Sequence, residues 1–155
     1  MRKTLTGALL AALTLLTASP AHADVVNEKW IVDKPIAGGK RYFPAYGAYS
    51  LTGLDPDRIR PTGTLSLLGG IIDVGDRDDR CTWVVFRITY YDYEQATPKE
   101  TGKRYRSCVP RQRVKFTFQH EDVSKLEAKV CWTDLNAVPD RTCVDPYQVI
   151  FKTYP

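Results

Sequence analysis

Four aspartates crowd into DVGDRDDRC (73–81): Asp73, Asp76, Asp78 and Asp79. Clustered carboxylates are the hard oxygen donors that calcium takes, which makes this stretch the candidate metal loop of the chain. An EF-hand loop would need oxygen donors at alternate positions, a glycine sixth and a glutamate twelfth. Counted from Asp73, Gly75 falls third, Arg77 fifth, Asp78 sixth and Val84 twelfth, so that motif is absent. Arg77 and Arg80 offset two of the four charges, and aspartates that hydrogen-bond nearby backbone are ordinary turn residues. A solvated turn with no metal or cofactor is the favoured reading, and a calcium site the alternative.

The other chemistry-bearing residues are four cysteines, Cys81, Cys108, Cys131 and Cys143. What they do depends on the compartment. Arg2 and Lys3 precede an apolar run, Leu5 to Thr17, that is too short to span a bilayer, and Ala21-His22-Ala23 is a small-x-small cleavage site. This predicts a secretory signal peptide over 1–23, a secreted, extracellular product, and one domain over 24–155 with no membrane anchor. An even number of cysteines in an exported chain reads as two disulfides, and four cysteines allow three pairings. Cys81 with Cys108 and Cys131 with Cys143 is favoured, because each pair then brackets one hairpin or one loop. Zinc lacks its ligand set: there is no Cys-x2-Cys spacing, and after the leader only His120 remains as a histidine.

Catalytic patterns are sparse. Oxidised thiols are not nucleophiles. None of Ser50, Ser66, Ser107 and Ser124 sits in a Gly-x-Ser-x-Gly elbow. His120 falls on the apolar parity of its segment, as a packed histidine does rather than a general base. A glycosidase needs only two carboxylates about 5–10 Å apart, so a secreted carboxylate-dependent glycosidase is kept as the least favoured alternative. The expectation is a protein without enzymatic activity.

Binding readings are stronger. Residues 99–115, KETGKRYRSCVPRQRVK, carry seven basic residues against one acidic. Removing the leader, however, takes two of the 22 basic residues and none of the 18 acidic ones, so the formal charge falls from +4 to +2. That lacks the basic excess of a nucleic-acid binder, and the run reads as a solvated face. Trp83, Arg87, Tyr91 and Tyr93 share one parity opposite Val84, Phe86 and Ile88. Rings on a wet sheet face can stack on sugars or anchor a protein, which makes these four the candidate contact residues for an extracellular protein or glycan. Tyr42 and Tyr46 are lesser candidates. The rival surface is CWTDLNAVPDRTC (131–143), a loop closed by a disulfide and stiffened by Pro139, with Arg141 near its end. A pre-organised loop of this kind suits an inhibitor of extracellular hydrolases.

Period-two alternation must position all of these residues. Val84, Phe86, Ile88 and Tyr90; Val114, Phe116 and Phe118; Leu126, Ala128 and Val130; and Tyr147, Val149 and Phe151 each alternate with polar or outward neighbours. Shorter strands are predicted over 62–70 and around 29–33 and 42–51, with Pro44 and Gly47 marking an edge, bend or bulge. HEDVSKL (120–126) predicts a helical turn at most, with Asp122 as its cap. About seven short strands point to an all-β domain: an antiparallel β-sandwich with Greek-key connections of immunoglobulin-like type, or else a small β-barrel. The likeness is architectural only, since Cys131 shares its parity with Glu127 and Lys129 and does not match the inter-sheet cysteine framework of antibody domains.

Overall fold

Eight strands run through the described residues: β1 (Val26–Pro35), β2 (Arg41–Thr52), β3 (Thr64–Ile72), β4 (Arg80–Asp92), β5 (Thr97–Ser107), β6 (Arg113–Glu121), β7 (Val123–Asp134) and β8 (Gln148–Lys152). They form two antiparallel sheets, ordered β1-β2-β3-β6 and β5-β4-β7-β8. The structure, a computed structural model, describes residues 26–35, 41–55, 60–73, 79–139, 143 and 145–153. The signal peptide reading, Asp76, Asp78 and Arg141 lie outside the described residues. The two sheets pack as a β-sandwich and neither closes on itself, so the barrel alternative falls.

Alternation explains the core. Val84, Phe86 and Ile88 from β4 and Leu126, Ala128 and Val130 from β7 meet Leu65, Leu67 and Ile71 from β3 and Phe116 and Phe118 from β6, all buried. Phe86 sits at the centre, its ring 5.6 Å from Trp30, 5.7 Å from Phe116 and 5.2 Å from Phe118. The Trp30 indole needs room that the sequence supplies with two glycines. Gly47 and Gly69 are cross-strand partners, and Trp30 and Phe116 flank them in the same row. A Cβ on Gly69 would come within 2.4 Å of the Trp30 ring, and one on Gly47 would come within 2.0 Å of the Leu68 carbonyl. Gly47 is therefore a slot for a core ring and not the bend suggested by its sequence. Pro44 behaves as expected. The β2–β3 ladder begins only at Ala45, and the β1–β2 register shifts between Val32 and Lys34, so Pro44 withholds its absent N–H where the ladder is already irregular.

Two expectations need correction. The 120–126 segment is a corner and contains no helical turn: Asp122 alone separates β6 from β7, with φ 55°. Its N–H donates to the Gly63 carbonyl at 2.8 Å, and its own carbonyl accepts from Tyr91 N–H at 3.0 Å. Aspartate tolerates this left-handed conformation better than most residues, which lets the chain change sheets in one residue. In addition, TPKETGKRYRS forms an eighth strand, β5. It lies at the edge of its sheet and buries little beyond Tyr105, which stacks on Phe116 at 4.3 Å. At the opposite edge the Gln148 side-chain amide joins the two sheets. It donates to the Asp33 carbonyl at 2.6 Å and accepts from Asp33 N–H at 3.4 Å.

Both disulfides form with the expected pairing, Cys81–Cys108 and Cys131–Cys143. No helix among the described residues is long and apolar enough to cross a membrane.

Candidate functional site

The outer face of the β5-β4-β7-β8 sheet carries the site, and strand register sets its layout. Trp83 stands between Arg106 and Cys131, Val85 between Arg104 and Lys129, and Arg87 between Gly102 and Glu127. Cys131 and Val85 point away from the main core yet are buried, because the chain returns across them. The Cys131–Cys143 bridge, Trp83 and Tyr147 pack on Val85 as a second small apolar cluster. Lys129 Nζ ties this cover down by donating to the Cys143 carbonyl at 2.7 Å, and Cys143 N–H donates to the Pro139 carbonyl at 2.9 Å.

Among the described residues, two grooves run along this face. One, about 380 Å³, is lined by Val85, Arg87, Glu100, Gly102, Arg104 and Tyr147 among others. The other, about 450 Å³, lies between Trp83, Arg104 and Arg106 and the segment Leu135–Pro139. Arg104 lines both, so they are neighbouring stations on one surface. Gly102 opens the first: it stands where a side chain would otherwise cover the row of Arg87.

Cations and rings interleave here. Arg87 lies 4.3 Å and Lys129 4.7 Å from the Tyr147 ring centre, and Arg106 lies 5.6 Å from that of Trp83. The Trp83 indole is fixed from behind, Nε1 donating to Thr133 Oγ1 at 2.8 Å. Arg87 is held twice, by Tyr147 and by Glu127, to which its Nε donates at 2.8 Å. Glu127 is buried at 5% exposure and also meets Lys125 Nζ at 2.7 Å. Burial alone would raise its carboxyl, but the hydrogen bonds from Arg87 and Lys125 outweigh it and hold the group below the ordinary glutamate range.

A pH dependence follows. A carboxyl depressed in the folded state contributes stability that is complete above the unfolded value, about pH 4.3, and is lost as pH falls through the lower folded value. Glu127→Gln should therefore be less stable than the parent at pH 7, and its stability should fall less between about pH 5 and pH 2. Urea titrations across that range check this. Parallel curves for the two proteins would show that Glu127 does not carry the acid limb.

The structure distributes the sequence candidates unevenly. Trp83 and Arg87 line the grooves, whereas Tyr91 and Tyr93 line neither. The two tyrosines pack edge to face at 5.0 Å, Arg60 lies over Tyr91 at 4.7 Å, and Tyr93 Oη donates to the Pro61 carbonyl at 2.9 Å. They hold the segment at 60–61. Pro139 is buried in the wall of the second groove, and Leu135 and Val138 are the exposed apolar residues of its loop. Tyr46 lies on the other sheet beneath Arg113, at 4.6 Å. His120 packs against Tyr90 at 4.4 Å between ring centres.

Of the aspartates, Asp73 is buried and accepts from Thr82 Oγ1 at 2.8 Å, and its carbonyl accepts from Arg111 N–H at 2.8 Å. It anchors the corner beside the Cys81–Cys108 bridge. Asp79 contributes its carbonyl to Leu135 N–H at 3.1 Å. Among the described residues no three potential metal ligands gather. Arg80 pairs along its own ladder row with Asp134, at 4.0 Å.

Sequence reasoning did not single out Gly102, Arg104, Arg106 or Tyr147. The alternation Arg104-Tyr105-Arg106 was the available signal, one inward ring between two outward cations. Comparison of the chain with protein-family models, with curated proteins and with solved structures found no match.

Proposed function

We propose that this chain is an exported, non-enzymatic binding domain whose contact surface is the outer face of the β5-β4-β7-β8 sheet. The observation that carries this reading is the pair of grooves sharing Arg104, built from fixed rings and cations on a sheet that is stapled at both disulfides. Side chains already held by partners lose little freedom when a ligand arrives, which favours capture. Export is supported by the two disulfides and the N-terminal leader pattern. The strand order supports a Greek key of immunoglobulin type: β3 and β6 are neighbours in one sheet, and their successors β4 and β7 are neighbours in the other.

The test is a screen of the chain from residue 24 against soluble glycans and extracellular proteins, repeated with Gly102→Leu. A Cβ at Gly102 meets the Phe86 carbonyl at 3.3 Å, a contact the edge strand can absorb, and the rest of the leucine would occupy the first groove. Capture should weaken at least tenfold, with the melting temperature nearly unchanged. Capture that survives Gly102→Leu and is lost on replacing Leu135 and Val138 would instead place the contact on the 131–143 loop, the surface an inhibitor of a hydrolase would use.

A further inference from the structure

We infer that the outer face of the other sheet, β1-β2-β3-β6, docks on an anionic phospholipid surface, with Ile31 and Leu68 entering the acyl boundary and Lys29, Arg113 and Lys115 meeting headgroup phosphates. This stands independently of the grooves, which lie on the opposite side of the sandwich.

An exposed aliphatic pair is the first ground. Ile31 is 56% and Leu68 61% exposed. Strand register sets Ile31 beside Tyr46, and Leu68 beside Ala48 in the adjoining outward row, so the four make one patch across β1, β2 and β3. The inward row between them is filled by Trp30 over Gly47 and Gly69.

Charge is the second ground. Lys29 ends the Leu68 row at the β1 edge, and Lys115 ends the Ile31 row at the β6 edge. Arg113 stands one outward row further and lies back across Gly70, where a Cβ would come within 2.6 Å of its Nε. Its guanidinium thereby rests 4.6 Å from the Tyr46 ring centre. The ring fixes the cation and leaves in-plane N–H groups for a phosphate. None of the three cations meets a carboxylate among the described residues. The acids of these strands lie at the margins. Glu28 accepts from Tyr49 Oη at 2.7 Å, Asp33 sits at the edge beside Gln148, and Glu121 is three outward rows from Lys115. Toward Glu121 the face turns neutral, with Gln119 donating to Ser66.

Area is the third ground. The patch crosses four strands about 4.8 Å apart and two or three outward rows about 7 Å apart, on the order of 200–300 Å². A stable protein interface takes about 800 Å² from each partner. A second copy pairing through this patch would also set cations against cations. A bilayer needs no matching outline: acyl chains admit the aliphatics, phosphates gather at the cations, and a tyrosine ring suits the boundary.

The experiment is co-sedimentation of the chain from residue 24 with vesicles of phosphatidylcholine alone and of phosphatidylcholine with about one third phosphatidylglycerol. The anionic vesicles should capture the protein and the neutral ones should not, and added salt should weaken capture. Ile31→Ser with Leu68→Ser, and separately Lys29→Gln with Lys115→Gln, should each lower partitioning about fivefold or more, with the melting temperature nearly unchanged. Leu135→Ser with Val138→Ser, an exposed aliphatic pair on the groove side, should leave partitioning unaltered. Loss in that variant in place of the first would move docking to the groove side and overturn the inference. Capture that depends on the lysines alone would reduce docking to ionic adsorption, and equal capture by neutral vesicles would remove the headgroup charge; either overturns it. A dimer in solution that Ile31→Ser with Leu68→Ser disperses would give the face to a second copy instead. No capture by anionic vesicles overturns the inference and leaves the groove reading to its own screen.

Discussion

Phe86→Ala should lower the stability of the domain by about 3–5 kcal/mol, the cost of removing a fully buried core ring. Phe86 is 1% exposed and belongs to the sheet that bears the grooves, yet its ring meets Trp30, Phe116 and Phe118 of the other sheet. Tyr105, from the edge strand, closes on it at 6.3 Å. Removing the ring loses its transfer energy and leaves a cavity whose walls cannot collapse, because Trp30 is already wedged over Gly47 and Gly69. Phe86→Leu, which keeps most of the volume, should cost markedly less. Urea unfolding followed by tryptophan fluorescence reads both variants. A loss below about 1 kcal/mol for the alanine form would mean that the sheets are held together elsewhere.

That same ring shows what was legible in the sequence. Val84, Phe86 and Ile88 repeat every second residue against Trp83, Val85, Arg87 and Thr89, and a half-buried strand is the only element that puts them on one side. β6 and β7 are legible for the same reason. β5 is not. Lys99, Glu100, Lys103, Arg104 and Arg106 show no apolar parity, because an edge strand over one stacked ring needs only Tyr105 to pack. Charged residues on such an edge also discourage pairing with other chains. Gly47 looked like a bend because a glycine slot is defined by the ring that fills it, and Trp30 is distant in sequence.

The site was legible only by halves. Trp83 and Arg87 could be placed on the wet face from parity alone. Tyr147 could not, since its place over Val85 comes from the chain returning across β7, a tertiary event that parity does not encode. Glu127 likewise reads as a surface acid until the β4–β7 register sets it opposite Arg87. Tyr91 and Tyr93 share the parity of Trp83, but parity says nothing of how far along a strand a groove extends.

The cover that hides Tyr147 from sequence reasoning is also where stability and binding should separate. Replacing Cys131 and Cys143 with alanine together opens a loop closed at a sequence separation of 12 and should cost about 3 kcal/mol. Replacing Cys81 and Cys108, at a separation of 27, should cost a similar amount or slightly more. The consequences for the grooves differ. Cys131–Cys143 sits on Val85 with Trp83 and Tyr147, and Cys143 positions both the Lys129 ammonium and the turn at Pro139. Without that bridge, the Leu135–Pro139 wall and the Tyr147 ring lose their tether, and ligand capture should weaken at least tenfold even at temperatures where the sandwich remains folded. Cys81–Cys108 instead joins the start of β4 to the end of β5, beside buried Asp73 and Thr82, and neither cysteine lines a groove. Its loss should lower the melting temperature; because the bridge lies one same-face row beyond the Trp83–Arg106 pair, at one end of the second groove, affinity should fall by less than half as much on a logarithmic scale as in the Cys131–Cys143 double variant when measured well below the transition. Calorimetric titration beside thermal unfolding of the two double variants makes the comparison. Equal losses of affinity in both would show that the bridges act only through global stability and that the cover does not build the site.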